Sequence, residues 1–93
     1  MADLSKVQKR ILGELANQAW KTLSAEEQAA IVTKASEALG DPFGVSASVA
    51  FRWWRKRVQT KVTGRSSMLV MGQDDFGRMK AHWLFLCNRV PAA

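Results

Sequence analysis

Apolar residues recur at intervals of three and four along most of this chain, and that spacing limits its fold more than any other feature. Residues so spaced share one side of an α-helix, because a helix turns once every 3.6 residues or so, about 100° per residue. The first such stretch begins at Leu4 and ends at Leu23. The pattern predicts four helices, at residues 4–22, 25–39, 47–62 and 74–88.

Capping residues and breakers separate the predicted helices. Ser24 and Glu27 have the spacing of a capping box, in which each side chain binds the other residue's backbone amide. Gly40 can take the left-handed conformation that ends a helix, and Asp-Pro-Phe-Gly at residues 41–44 is typical of a turn. We therefore expect a clear break between the second and third helices.

Two candidate caps precede each of the last two helices. Ser46 or Ser48 is expected to cap the third helix, and Asp74 or Asp75 the fourth. Between these helices lies a loop at residues 63–73, which has room for a short extra turn. Its apolar run, Met-Leu-Val-Met, indicates either a brief strand or a loop that packs into the core.

The chain is predicted to be a single all-α domain, a small bundle of about four helices over residues 1–93. Its length suits one domain, and its 47% apolar content is ordinary for a globular protein. No apolar run approaches the roughly 20 residues that span a bilayer, and the N-terminus lacks a signal-peptide pattern. A single cysteine, Cys87, excludes an internal disulfide. These features indicate a cytoplasmic protein.

The excess positive charge of the chain is confined to one segment. The formal net charge is +6, and residues 51–65 contain six basic residues and no acidic one. The remaining residues carry eight basic and eight acidic groups, so their charges cancel. We therefore expect a neutral helical scaffold that presents one cationic helix.

On a helical wheel, the third helix has an apolar side and a wide cationic side. Phe51, Trp54 and Val58 share the apolar side, which is needed for the core. Trp53 lies among polar neighbours and is expected to stay half-exposed, while Gln59 falls on the cationic side. The predicted binding residues of this segment are Arg52, Trp53, Arg55, Lys56, Arg57, Lys61 and Arg65.

Six cations on one short segment repel one another unless a polyanion or an acidic surface meets them. Nucleic acid is the commonest such polyanion, since basic residues bind its phosphates and a half-exposed tryptophan offers a stacking surface for bases. A solvated face that only keeps the protein soluble is the alternative interpretation. Residues 44–57 also look like the turn and recognition helix of helix-turn-helix proteins, but the connection at residues 40–46 is longer than the turn of that motif. A looser helical DNA binder is therefore favoured.

The fourth helix adds a weaker set of candidates. Its apolar face includes Cys87, which we expect to be buried and inert. Asp74 and Asp75 have the position of capping residues rather than of catalytic or metal-binding carboxylates. No nucleophile–base pair, phosphate-binding glycine loop or zinc-ligand spacing is visible, so no enzyme activity, metal or cofactor is predicted. A secondary binding edge is predicted at Arg78, His82 and Arg89.

Several short motifs follow one another between residues 51 and 86. In chain order they are Phe51-Arg52, Val62-Thr-Gly-Arg-Ser-Ser67, Leu69, Asp75-Phe and Met79-Lys-Ala-His-Trp83. Their order resembles the GemA family of phage Mu-type regulators. The resemblance implies a small helical protein of a prophage or other mobile element in a bacterial cell, associated with host DNA transactions and supercoiling. It implies that Thr63, Gly64 and Ser66 shape a turn, and it carries over no catalytic residue.

Two functions are consistent with these observations. The leading prediction is a small non-enzymatic nucleic-acid-binding regulatory protein of a phage or mobile element, which contacts DNA phosphates through the third helix and is associated with the nucleoid. The alternative is a protein-interaction module, either a phage-encoded adaptor or inhibitor or a small subunit of a larger complex. Its basic helix would dock on an acidic partner surface, and Trp53 with Arg57 fits this role because tryptophan and arginine are frequent interface hot spots.

Overall fold

Four α-helices account for most of residues 3–89, the range that the computed structural model describes. The structure contains no β-strand within this range, so the predicted all-α class is confirmed. The predicted domain, residues 1–93, extends beyond the described residues at both ends. The helices are α1 at Lys6–Thr22, α2 at Ala25–Leu39, α3 at Ala47–Thr63 and α4 at Gln73–Asn88.

The first three helices begin where a serine side chain binds a free backbone amide. Ser5 forms a capping box with Gln8 that the sequence prediction lacks, and α1 therefore begins two residues later than expected. Ser24 forms the predicted box with Glu27 at the start of α2. Of the two candidates for α3, Ser46 is the cap, accepting a hydrogen bond from the amide of Val49 at 3.3 Å.

The start of α4 differs from the prediction. Gly72 is its N-cap, so neither Asp74 nor Asp75 holds the capping position. Asp75 instead lies three residues further on, and its carboxylate accepts a hydrogen bond from the amide of Gly72 at 3.3 Å. This contact is the second half of a capping box without the first, because glycine has no side chain to complete it. Both carboxylates still lie in the first turn, where negative charge stabilises a helix.

The core is built around a chain of three tryptophans. Trp83 of α4 is only 2% exposed, and its ring centroid lies 5.5 Å from that of Trp54 in α3. Trp54 lies 5.5 Å in turn from Trp20 of α1, so the three rings join three helices. The α2 helix packs against α3, and its buried residue is Ala35. The other buried residues of the central cluster are Leu4, Leu12, Ala16, Ala19, Met71 and Met79.

The loop between α3 and α4 contains the short extra turn that the sequence allows, a 3₁₀ turn at Met68–Val70. Met71 is fully buried and Met68 packs against the core, whereas Leu69 is 75% exposed. The packed-loop interpretation is therefore right for the two methionines. The strand interpretation is wrong, since within the described residues this region has one isolated bridge, between Asp3 and Gly72.

Asp75 is expected to contribute more to stability than the aspartate beside it. It is 6% exposed, accepts the Gly72 amide and lies 2.9 Å from Nε of Arg65. Replacing Asp75 by alanine should lower the free energy of unfolding by about 1–3 kcal/mol, because two polar groups lose their partner. The exposed Asp74 is the matched control, and Asp74→Ala should change stability by less than about 0.5 kcal/mol. Equal losses for the two variants in urea unfolding would contradict this role.

Candidate functional site

A groove with a volume of about 810 Å³ runs between α2 and α3. Aromatic and aliphatic side chains, from Ile31 of α2 and from Trp53, Trp54 and Val58 of α3, form part of its lining. No acidic side chain contributes to this lining among the described residues. We call it the cationic groove, and its charged lining residues are Lys34, Lys56, Arg57 and Lys61.

The local sequence explains why α3 presents these residues toward α2. Trp53, Arg57 and Lys61 follow one another at intervals of four, so they lie on the same side of α3. The connection before α3 is fixed by Ser36 of α2, whose hydroxyl donates to the carbonyl of Val32 at 2.7 Å and accepts the Val45 amide at 2.9 Å. This pair of hydrogen bonds ties the entrance of α3 to the last turns of α2.

Trp53 is half-buried in the groove, beside the core tryptophan that follows it in sequence. The guanidinium carbon of Arg57 lies 4.9 Å from the centre of its ring, within the range of a cation–π contact. The sequence prediction of a half-exposed tryptophan among polar neighbours is therefore confirmed. The structure adds that this indole shares one concave surface with four cations.

The structure divides the predicted binding residues into two groups. Trp53 and the cations of the second half of α3 lie in the groove, together with a lysine from α2. The members of the predicted set that do not line the groove are Arg52, Arg55 and Arg65.

Each arginine outside the groove has a different environment. Arg52 is exposed, and the guanidinium of Arg55 lies 5.5 Å from the ring centre of Phe51. Arg65 forms an ion pair with Asp75, with 2.9 Å between Nε and the carboxylate oxygen. The charge of Arg65 is thus offset within the protein, and a polyanion would have to compete with Asp75 for it.

The helical wheel places Gln59 on the cationic surface, but in the structure this residue is buried. It is 7% exposed, and its side-chain amide donates to the carbonyl of Arg65 at 3.1 Å. The α3 helix ends at Gly64, which has a positive φ of 73°, and this turn brings the carbonyl of the next residue back to the side chain of Gln59. The prediction was wrong because a wheel treats the helix alone and omits the chain that folds back on it.

Lys34 is the groove residue that sequence reasoning missed. It belongs to α2, where nearby acidic residues balance it in any count of charge along the chain. The sequence does contain one indication of its role, because Lys34 comes three residues after Ile31 and so lies beside the apolar stripe of α2. Only the packing of α2 on α3 brings this lysine to the cationic helix.

The predicted secondary edge on α4 does not form a free cationic surface. Arg78 lies 3.7 Å from Asp75, and Arg89 lies 2.6 Å from Glu27 of α2. The backbone amide of Ser24 and the charge of Arg89 hold the pKa of Glu27 below its ordinary value, so this carboxylate stays ionised and keeps its partner. Both arginines of this edge therefore have a carboxylate partner within the protein, and the role of the edge in binding stays a prediction.

His82, the third residue of that edge, is half-buried and packs edge-on against Trp83 with 5.9 Å between ring centres. Burial of the ring, followed by the positive charge of Lys61, lowers the pKa of His82 below the ordinary 6.5. The imidazole is therefore neutral at pH 7 and adds no positive charge to a phosphate-binding surface.

A second cleft of about 490 Å³ adjoins the cationic groove, and Ile31, Trp54, Val58 and Lys61 belong to both. We call it the apolar cleft. It continues to α4, and the further apolar side chains that line it are Leu23, Val62 and Leu86.

Cys87 packs against the core and is half-buried, and its thiol lies 3.5 Å from the carbonyl oxygen of Leu15. Burial raises the pKa of this thiol, which disfavours the reactive thiolate. Within residues 3–89, no three His, Cys, Asp or Glu side chains are close enough together to hold a metal ion. None of the helices described in that range has the length and apolarity to cross a bilayer.

Comparison of the chain with known protein families, with curated proteins and with solved structures finds no match. The resemblance of residues 51–86 to GemA-type regulators therefore stays a prediction.

The neutral His82 should make folding sensitive to mild acid. Because its pKa is lower in the folded than in the unfolded chain, the unfolded state binds more protons as the pH falls below about 6.5. Stability is expected to fall between about pH 7 and pH 5.5, above the range where carboxylates titrate. Replacing His82 by glutamine should reduce this loss, as measured by thermal unfolding midpoints at both pH values. An equal loss in the variant would contradict the assignment.

Proposed function

We propose that this protein is a small non-enzymatic nucleic-acid-binding protein that contacts phosphates through the cationic groove. The observation that carries the proposal is the convergence of Lys34, Lys56, Arg57 and Lys61 on one concave surface. None of the four forms an ion pair with another described residue. Their mutual repulsion is relieved when a polyanion binds, and the release of its counterions adds to the driving force.

The distribution of acidic residues supports this location over the rest of the chain. The arginines at positions 65, 78 and 89 each have a carboxylate within 4 Å, whereas the groove cations have none among the described residues. Arg52 is also exposed and unpaired within the described chain, and it extends the cationic surface along α3. Arg52 and the groove cations thus place five cations, unpaired within the described chain, on α3 and the facing side of α2, and four of them share one concave surface.

Regulation in a phage or other mobile element, with DNA as the nucleic acid, is the more specific part of the proposal. It is supported by the resemblance of residues 51–86 to the GemA family. The arrangement of genes around the coding sequence tests it. Placement among phage genes in several genomes would support this role, and consistent placement outside mobile elements would count against it.

Removing two groove cations should weaken nucleic-acid binding in a salt-dependent way. The variant Lys56→Ala/Lys61→Ala is expected to lose about tenfold or more in affinity at low salt, because two phosphate contacts are lost. Each lost contact should also reduce the log–log dependence of affinity on salt by about 0.7–0.9. Fluorescence anisotropy with labelled DNA and RNA over a salt series measures both quantities.

The matched control is Lys6→Ala/Arg10→Ala, which removes the same charge from exposed positions of α1 that line neither the groove nor the cleft. It should retain most of the affinity and the salt dependence. Equal losses in both variants would show that only net charge matters. No binding of any nucleic acid at low salt would rule out the proposed function.

A protein-interaction module is the second candidate, and the apolar cleft is the observation that favours it. An acidic amphipathic helix could place apolar side chains in the cleft and carboxylates against the neighbouring lysines. Pull-down from a nuclease-treated host lysate tests this alternative. A partner retained by the intact protein but lost with Lys56→Ala/Lys61→Ala would support it, and recovery of no such partner would count against it.

A further inference from the structure

We propose that the cationic groove holds a single strand of nucleic acid, with one unpaired base stacked on Trp53 and the adjacent phosphates bound by cations of α2 and α3. The inference rests on the proposed nucleic-acid function and goes beyond it by specifying the strandedness of the ligand and the residue that contacts the base.

The position of Trp53 favours an unpaired base. The indole lines a groove, together with Ile31 of α2 and the cations of α3, and does not stand alone on a convex surface. Bases in a duplex are stacked and present only their edges in the grooves, so their faces cannot reach such a ring. An unpaired base has a free face and can enter the groove, where stacking on an aromatic side chain is the usual mode of single-strand binding.

The placement of cations on both sides of the groove also favours a single strand. Lys34 lies on α2, while Lys56, Arg57 and Lys61 lie on α3. Cations on two facing helices can bind phosphates on either side of a strand that lies between them. A helix that reads a duplex instead projects into the major groove, and the helix-turn-helix motif achieves this with a turn of about three or four residues. Here the connection is longer, since it occupies residues 40–46, and this favours a single strand over a duplex as the ligand.

The contact between Arg57 and Trp53 prepares this site for a nucleotide. With its guanidinium carbon 4.9 Å from the ring centre, Arg57 already covers an indole face that a base could occupy. Arg57 and Trp53 lie one helical turn apart. If a base displaces the Arg57 guanidinium from the indole, the guanidinium therefore stays within reach of the phosphate of that nucleotide. The exchange replaces a cation–π contact by one stacking contact and one charged hydrogen bond.

The groove lining also predicts that binding depends little on the base sequence of the strand. Thr60 is its only hydroxyl- or amide-bearing side chain among the described residues, and no acidic side chain lines it. Lysine and arginine can also read a base edge, guanine above all, but in the proposed complex the groove cations bind phosphates, which leaves Thr60 for contacts to a base edge. Stacking on tryptophan and binding of phosphates are available to every nucleotide. The strand should therefore be bound with little preference for base identity.

Trp53 variants separate base stacking from charge. The probes are a labelled oligothymidylate of about 15 nucleotides, a length that one small domain can cover, and a duplex of equal length and mixed sequence. The single strand is expected to bind the intact protein at least about tenfold more tightly at moderate salt. Trp53→Leu, which keeps an apolar side chain but no aromatic face, should weaken strand binding by about 5- to 150-fold, the usual effect of losing one stacked base. Duplex binding should change less than about twofold.

Trp53→Phe is the rescue variant, because phenylalanine keeps an aromatic face without the full indole. It should recover most of the strand affinity lost in Trp53→Leu, and circular dichroism melting shows whether both variants are folded. Equal strand affinities for the two variants would overturn the stacking role. A duplex bound as tightly as the single strand would overturn the inference while leaving the proposed function intact.

Two further outcomes complete the test. If neither probe binds at low salt, the proposed function itself fails. If a polyglutamate peptide of equal charge binds as tightly as the oligothymidylate, the groove recognises negative charge without bases, and the inference is overturned in favour of an acidic protein partner.

Discussion

The packing of Trp54 between Trp20 and Trp83 sets the orientation of α3, and the chemistry of the groove depends on it. With ring centroids 5.5 Å away on both sides, Trp54 can occupy only one direction from the helix axis. Successive helical residues are separated by about 100°, so Trp53 must then emerge beside the core. The same orientation of α3 places Lys56, Arg57 and Lys61 in the groove. Both adjacent tryptophans line the groove, but only Trp54 also packs against the core cluster and thereby fixes the helix.

Because of ion pairs within the protein, fewer cations keep an uncompensated charge than the sequence alone indicates. Arg65, Arg78 and Arg89 are paired with Asp75 or Glu27, whereas the groove side of α3 gains a further cation that is unpaired within the described chain, Lys34 of α2. Because each of these arginines is at least one-third exposed, its ion pair contributes little to stability by itself, typically about 0–1 kcal/mol. Under the proposed function their larger effect would be on recognition, because they offset charges that would otherwise compete with the groove for a polyanion. The cationic segment of the sequence thereby becomes a more localised cationic groove.

The helices could be predicted from sequence because periodicity, serine caps and glycine ends are local signals. The ends of α2 were predicted correctly, and those of α3 and α4 to within one residue, for this reason. Gln59 and Lys34 could not be placed in the same way. The first is buried by a chain segment that returns after Gly64, and the second reaches the groove only through the packing of α2 on α3. Both depend on tertiary contacts that no helical wheel contains.

The weakest wall of the groove is α2, and this bears on what the groove can hold. No described residue of α2 belongs to the central cluster or to the apolar side chains packed against it, whereas Phe51, Trp54 and Val58 of α3 all pack there. Near its start, α2 is tied to the rest of the protein by Gln28, whose side chain donates to the Trp20 carbonyl at 2.8 Å. A helix that buries little apolar surface can shift at low cost. If the groove holds a nucleic-acid strand as proposed, a shift of α2 would fit it to purines or pyrimidines while the tryptophan core keeps Trp53 in place.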